Sequence, residues 1–231
     1  MNYERWKKVY QDISKDLNID RNQDEIASEI LDMLIGQNLK TYCSVNTFLD
    51  LISNRTVFVF GAAPSLDFEV KNNIHRFKQS VLIAADGATS ALLKYDLIPD
   101  VIISDLDGIV ADQINANEKN GILVVHAHGD NVGIVQHTIP RIKGPYFGSI
   151  QTDPSKYSFV KNFGGFTDGD RCVFFTDYFH AKKIILVGFD CQAKPGFYSF
   201  QKSKKLQMKK KKLAWCQHFL DQFKEPYLTH I

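Results

Sequence analysis

From Thr56 onward, short β-branched apolar runs alternate with amphipathic stretches, and this alternation narrows the chain to an α/β architecture. The runs are TVFVFG, SVLIAAD, DVIISD, GILVVHAH and KIILVGFD, and between them LDFEVKNNIHRFK and ATSALLKYD read as helices. Continuously apolar strands need cover on both faces, which implies a mostly parallel central sheet with helices on both faces and right-handed crossovers. Residues 1–54 read differently. Tyr3, Trp6, Tyr10, Ile13 and Leu17 recur at helical spacing, and Ile26, Ile30, Leu31 and Leu34 do the same ahead of Gly36. The expected organisation is a helical N-terminal cap over 1–54 and one α/β domain over 55–231.

A chain of 231 residues, 44% of them hydrophobic and 23% charged, can bury one adequate core without disulfide or metal staples. Disorder, collagen and coiled coil are excluded by the same balance. No apolar run approaches the roughly 20 residues needed to cross a bilayer, and MNYERWKKVYQDISK lacks the apolar stretch of a secretory signal, so a soluble, cytoplasmic protein is expected. Cys43, Cys172, Cys191 and Cys216 form no C-x-x-C pair and are expected to be free thiols.

In an open parallel sheet, ligands bind outside the carboxyl ends of the strands. There the sequence is unusually polar: Gly61-Ala62-Ala63-Pro64-Ser65, Asp86-Gly87, Asp105-Leu106-Asp107-Gly108, His126-Ala127-His128-Gly129-Asp130-Asn131 and Gly188-Phe189-Asp190 each follow an apolar run. A lone Asp or Gly there is ordinarily a turn or a helix cap. Asp86, Asp105, Asp107 and Asp130 together would repel one another at one sheet edge unless a cation or a set of amide donors compensates. Asp105 and Asp107 are two apart, so in an extended chain both carboxylates point to one side. Oxygen-only ligands of this kind suit Mg2+ with substrate phosphates, and a magnesium-nucleotide site is the leading reading.

GAAPS brings small residues just before the helix at 66–78, whose N-terminal dipole favours phosphate. Without G-K-[ST] it is no Walker A loop, and a tight turn capped by Ser65 is the plainer alternative. H-x-H-x-D could open a dinuclear metallohydrolase site, but Asn131 stands where a further His is usual. Hydrogen-bonding or phosphate-facing histidines, with Asp130 sharing the cation, are the preferred reading. NFGGFTDGDR suits a loop over a ligand, with Asp168 or Asp170 capping the helix that follows, and Phe163 and Phe166 either stack a flat heterocycle or pack in the core. From Lys194 to the end, nine Lys face only Asp221 and Glu225. KSKKLQMKKKKLAWCQHFL is read as a helix whose basic end is either a solvated face or a triphosphate dock. Its confinement to one stretch argues against nucleic acid as a partner.

ADGATSALL, PDVIISDLDG, HAHGDN and NFGGFTDGDR, in this order, resemble the archaeal 6-hydroxymethyl-7,8-dihydropterin diphosphokinases of the MptE type over roughly residues 55–225. The first half is also similar to the catalytic domain of thiamin diphosphokinase, with Ser104-Asp105-Leu106-Asp107-Gly108 in place of G-D-F-D-S and without the all-β domain that completes the thiamin site. The resemblance implies transfer of diphosphate from ATP to the pterin hydroxymethyl oxygen with release of AMP, dependent on Mg2+, in pterin cofactor biosynthesis. It implies Asp105 and Asp107 as the metal pair with Asp86 and Asp130 at the same site; a carboxylate such as Asp130 is expected, on chemical grounds alone, to assist deprotonation. The nucleotide and acceptor are expected against Gly61, Ala62, Pro64, Ser65, Asp86, Gly87, His128, Asn131, Asp168, Arg171, Asp190, Lys209 and Lys210. A nucleotide-sugar glycosyltransferase sharing the GAAPSL turn, thiamin diphosphokinase, and a non-catalytic nucleotide-binding protein stay open as alternatives. So does a homodimer; no membrane partner is expected.

Overall fold

The computed structural model describes residues 3–194, 196–199 and 206–231. Each apolar run becomes a strand: β1 (Thr56–Phe60), β2 (Val81–Ala85), β3 (Val101–Ser104), β4 (Ile122–Ala127) and β7 (Lys183–Val187). Three further strands complete an eight-stranded sheet: β5 (Tyr146–Ile150), β6 (Val160–Lys161) and β8 (Leu228–His230). Every strand pair is parallel and the spatial order is β6-β5-β4-β3-β2-β1-β7-β8. The chain therefore steps outward from β1 to β6 and then returns to the other side of β1. That reversal puts the topological switch point between β1 and β7, where the loops leaving the two strands diverge and a crevice opens.

Nine α-helices lie among the described residues: α1 (Tyr3–Leu17), α2 (Arg21–Gly36), α3 (Val45–Ile52), α4 (Leu66–Phe77), α5 (Ala88–Leu93), α6 (Val110–Glu118), α7 (Val132–Thr138), α8 (Asp168–Tyr178) and α9 (Leu206–Leu220). On one face Phe48 and Ile52 of α3, the Cys172–Phe179 stretch and Cys216 and Leu220 of α9 bury Val57, Val59, Ile83, Ile103 and Leu186. On the other, α2, α4, α5, α6 and α7 cover the alternate positions, among them Phe58, Phe60, Ile102, Leu123 and Val125. Strand side chains alternate between faces, so continuous burial along β1 to β4 requires both layers.

The N-terminal helices are distributed over both layers. The apolar stripe of α1, Trp6, Tyr10, Ile13 and Leu17, packs on Phe166, Phe174 and Phe219, whereas Ala27, Leu31 and Ile35 of α2 lie on the opposite face against β4 to β6. The first core is aromatic at its centre. Phe48 is fully buried, with ring centroids 5.4 Å from Phe147 and 5.0 Å from Phe175, both edge-on. Phe48→Ala is expected to destabilise the fold by about 3–5 kcal/mol, read as a lower denaturation midpoint at unchanged denaturant slope. No helix among the described residues is long and apolar enough to cross a membrane, and all four cysteines are free. The basic stretch expected to be helical is helical from Leu206; Lys202, Lys204 and Lys205 lie outside the described residues.

Candidate active site

β2 and β3 are neighbours, so the residues that follow them emerge side by side: Asp86 from one, Asp105 and Asp107 from the other. Asp86, Asp105 and Asp107 each offer an oxygen within 4.8 Å of the others, and they are the one group among the described residues able to hold a metal ion. The convergence does not come from the extended chain that the two-residue spacing predicts. Leu106 adopts φ 65 and Asp86 φ 41, both left-handed. A branched side chain such as Leu resists that conformation by about 1–2 kcal/mol. The turn at Leu106 is held by its N–H, which donates to Ser104 Oγ at 2.8 Å, while its side chain is buried under α2, α6 and α7.

The three carboxylates are not equivalent. Asp86 Oδ1 accepts from Ser104 Oγ at 3.0 Å and from Gln113 Nε2 at 2.6 Å; the same amide of α6 also reaches the Asp107 carbonyl at 2.9 Å. Burial, then a shared hydrogen bond with Asp107 and the charges of Asp168, Asp107 and Asp105, push the Asp86 carboxyl well above its ordinary range. At Asp105 burial acts in the same upward sense, but it is outweighed by the His128 hydrogen bond and charge, with Arg171 and Lys212 behind, so this carboxyl lies below its usual value. His128 Nδ1 accepts the Asp130 backbone N–H at 3.2 Å, which leaves Nε2 to donate to Asp105 Oδ2, also at 3.2 Å. The other oxygen, Oδ1, is buried and has no hydrogen-bond partner. An orphaned carboxylate oxygen beside two further carboxylates is what a bound cation would satisfy, and all-oxygen donors fit Mg2+.

Across the cavity stands the start of α8. Thr167 caps the helix, its side chain taking the N–H of Asp170, whose carboxylate returns to the Thr167 N–H at 2.7 Å and also contacts the Thr167 hydroxyl. Asp168 and Arg171, three apart on this first turn, pair at 3.1 Å. Burial, then the Asp105 charge, push the Asp168 carboxyl up to about 7 against the pull of Arg171. Arg171 is buried apart from a few per cent of its surface, and its Nε has no partner. All of these groups open on one cavity of about 1360 Å³ that runs from the Asp86–Asp105–Asp107 cluster to the β1/β7 crevice. That is ample for two small substrates at once, since a single ligand ordinarily occupies about 300–1,000 Å³.

A family model described as 6-hydroxymethylpterin diphosphokinase MptE-like matches residues 35–196. The chain belongs to this family. It is 38% identical over 231 residues to the 6-hydroxymethyl-7,8-dihydropterin pyrophosphokinase of Pyrococcus furiosus, covering 94% of this chain and 95% of that one. It is 39% identical over 200 residues to the protein of the same name from Methanocaldococcus jannaschii, covering 82% and 80%. Among solved structures it is similar to the MAf glycosyltransferase of Magnetospirillum magneticum AMB-1 at 15% identity and a TM-score of 0.42, over 76% of this chain and 29% of the other.

In this MptE-like chain several residues expected at the site take other places. Asp130 borders the cavity on an exposed turn but lies outside the group of three carboxylates, because His128 and not Asp130 faces Asp105. Asn131 is buried with both amide hydrogens committed, to the carbonyls of Asp105 and His126 at 2.7 Å each; it ties the β3 and β4 exits together and has no donor left for a substrate. His126 is a core residue: Nδ1 meets Ser149 Oγ at 3.0 Å, and burial, with Arg171 and His128 nearby, holds the ring well below its ordinary pKa and therefore neutral. The H-x-H pair does not form a shared metal centre. Phe163 is in the aromatic core, while Phe166 borders the cavity with the Lys212 ammonium 5.7 Å from its ring centroid.

The GAAPS turn also departs from expectation. Gly61 and Ala63 donate their N–H groups to the Val187 and Gly188 carbonyls, each at 2.9 Å, so these amides join β1 to the β7 exit and are not offered to an anion. Gly188, at φ 66, has no room for a Cβ, which would sit 2.7 Å from the Gly61 carbonyl. Gly61 and Ala62 border the cavity, but Pro64 and Ser65 do not, because the chain has already turned into α4, and Ser65 makes no side-chain cap. Gly87 and Asp190 border it as expected, although one Asp190 oxygen is taken by the N–H groups of Gln192 and Ala193, each at 2.9 Å. Of the lysine run, Lys209, Lys211 and Lys212 reach the cavity and Lys210 faces away; Lys211 pairs with Asp16 of α1. Not anticipated from sequence were Gln113, Gln151 and the α2 residues Gln23 and Asp24. Long-range packing brings them to the site, and no local motif marks them.

Proposed function

We propose that this chain transfers the diphosphoryl group of ATP to the hydroxymethyl oxygen of 6-hydroxymethyl-7,8-dihydropterin, releasing AMP, in pterin cofactor biosynthesis, with Mg2+ as the required ion. The observation that carries the reading is the buried, unpartnered Asp105 oxygen beside Asp86 and Asp107 at the strand ends, facing Arg171 across one cavity. The names of the relatives favour the same acceptor. Asp105 and Asp107, with Asp86, would hold the ion, which when bound neutralises phosphate oxygens and withdraws charge from the phosphorus under attack. Asp86 gives up its proton to serve, and Gln113 and Ser104 keep its carboxylate oriented.

The rest of the work is positioning and charge compensation. As the acceptor oxygen bonds to the β-phosphorus, the bond to the oxygen shared with the α-phosphorus breaks and AMP departs with the electron pair. Arg171, with Lys209 and Lys212, offsets the charge that gathers on the leaving phosphate. The hydroxyl proton needs an acceptor, and Asp168, which borders the cavity at the start of α8 beside Arg171 with its carboxyl pushed up by burial, takes that role in place of Asp130 on its exposed turn. The cytoplasm, where ATP and reduced pterins are supplied, is the corresponding compartment.

The test is AMP formation from ATP and Mg2+, compared over reduced 6-hydroxymethylpterin, thiamin and simple sugars. The pterin should be the acceptor by orders of magnitude; AMP formation with thiamin or a sugar alone would replace this reading. His128 carries a more specific expectation, because it fixes which Asp105 oxygen is left for the ion. His128→Ala should weaken apparent Mg2+ affinity about 10–100-fold with the fold intact, measured by the Mg2+ dependence of turnover. An unchanged Mg2+ dependence would remove His128 from that role.

A further inference from the structure

The family model begins at residue 35, yet the helices that precede it touch the candidate site through an unbroken chain of buried polar groups. Tyr10 of α1, Asp24 of α2, Gln151 after β5 and Arg171 of α8 are each buried to within a few per cent. Burial and the neighbouring Asp24 charge push the Tyr10 phenol far up, so it stays protonated and donates to Asp24 Oδ2. Its oxygen accepts from Gln151 Nε2 at 3.0 Å, and Gln151 Oε1 accepts from Arg171 Nη2 at 3.2 Å. The main chain of Gln151 is pinned in turn by Trp6 Nε1 at 2.7 Å. Arg171 then holds Asp168 with its other terminal nitrogen.

A second branch leaves the same carboxylate. Asp24 Oδ1 accepts the Gly129 N–H at 2.8 Å, and Gly129 follows His128, whose ring fixes Asp105. The approach is close: a Cβ on Gly129 would lie 2.5 Å from the Gln23 Cβ, so only glycine lets α2 come this near. One Tyr–Asp pair thus joins the Asp105 side of the cavity to the Arg171 side. Removing any member leaves buried donors or acceptors unpaired, which such networks resist by shifting their neighbours.

We propose that Tyr10 and Asp24, from the two N-terminal helices, are positioning residues for the reaction, Tyr10 acting through Gln151 on Arg171, and Asp24 holding Tyr10 in place and acting through Gly129 on His128. Tyr10 does not border the cavity, and Asp24, which does, has its two oxygens taken by Tyr10 and the Gly129 N–H. This inference rests on the diphosphoryl-transfer reading, and the N-terminal helices become part of the working site, not only a cover for the sheet. An arginine set a fraction of an ångström out of place stabilises departing charge poorly, so the loss falls on kcat more than on nucleotide affinity.

The test is a double-mutant cycle on the full chain with Tyr10→Phe and Arg171→Lys, measured well below the melting temperature of every variant. Tyr10→Phe should lower kcat about 10-fold in the Arg171 background, with less than about a 3-fold change in affinity for a non-hydrolysable ATP analogue. In the Arg171→Lys background the same change should lower kcat by no more than about 2-fold, because the group it acts through is gone. Equal losses in both backgrounds, or no loss in the first, would overturn the positioning role. If Tyr10→Phe does not fold, Gln151→Leu removes the next link and carries the same expectation. A readout independent of turnover separates this inference from the assigned reaction. Following the Asp168 carboxyl by 13C NMR, Tyr10→Phe should raise its titration midpoint by about half a unit or more as Arg171 loosens. An unchanged midpoint sinks the inference even if the reaction stands, and a raised one supports it even if the wild type makes no AMP.

Discussion

Asp105→Asn is expected to lower turnover by about 10²–10⁴-fold while leaving the fold intact, and Asp107→Asn to do the same. The exchange keeps side-chain volume and removes the charge. At position 105 the amide oxygen still accepts from His128 Nε2, which is why the strand exit should hold its shape; the atom turned toward Asp86 and Asp107 becomes a donor in place of an acceptor. At position 107 the side chain is exposed, so little packing is disturbed. Asp130→Asn is the control for proximity, because Asp130 borders the same cavity without joining the triad, and it should change turnover by less than about 3-fold. Steady-state rates at saturating Mg2+, with far-UV circular dichroism for each variant, decide the matter. Near-wild-type rates in Asp105→Asn or Asp107→Asn would remove the metal role.

The second large effect is on stability. Stripped of divalent ions, the protein should lose stability as pH rises from about 6.5 to 8, by about 1 kcal/mol or roughly 3 °C in melting temperature, and Mg2+ should restore it. The sign follows from two carboxyls. Asp86 lies well above its unfolded value of 3.8 and Asp168 is pushed up to about 7, so the folded protein binds protons that the unfolded chain has already released. Stability is then highest below the unfolded value and falls as pH climbs through the folded ones. Neutral, buried His126 pulls the opposite way, but only below its ordinary 6.5, which sets the lower end of the window. A cation favours the ionised carboxylates, so the Mg2+-induced rise in melting temperature should be larger at pH 8 than at pH 6.5. Calorimetric scans with chelator and with Mg2+ test this; a flat profile, or an Mg2+ effect equal at both ends, would contradict it.

The fold was legible where strand chemistry was strong. TVFVF, VLIAA, VIIS, ILVVHA and KIILV are built on apolar runs because each is covered twice, and their shortness and β-branched or aromatic content, with turn residues on either side, identify them as strands. YFGSI was not, since Gly148 and Ser149 break the run and its place beside β4 comes from pairing across the sheet. VK and LTH are too short to carry a pattern. Helix α8, which follows NFGGF, starts four residues before the apolar CVFF stretch, because Thr167 and Asp170 cap it and draw Asp168 into the first turn.

At the site, Asp86, Asp105 and Asp107 were legible because strand order forces their ends together. Their division of labour was not. Whether a carboxylate faces a histidine, a glutamine or nothing depends on turns such as the left-handed one at Leu106, which a sequence containing Leu does not advertise. Asn131 and His126 illustrate the converse: polar residues in a suggestive motif whose hydrogen bonds are spent inside the protein. Tyr10 and Asp24 meet Gln151 and Gly129 across more than a hundred residues of sequence, a relation that spacing cannot express.

In the reaction proposed for this chain, these carboxylates serve the transfer of two phosphoryl groups as one unit. Phosphorus NMR of ATP, reduced 6-hydroxymethylpterin, Mg2+ and the protein reads it directly. The expected record is the paired signals of a pterin diphosphate growing in step with the single signal of AMP, and neither growing once the divalent ion is chelated. ADP as the product, or the same course in the presence of chelator, would rule out ion-dependent diphosphoryl transfer.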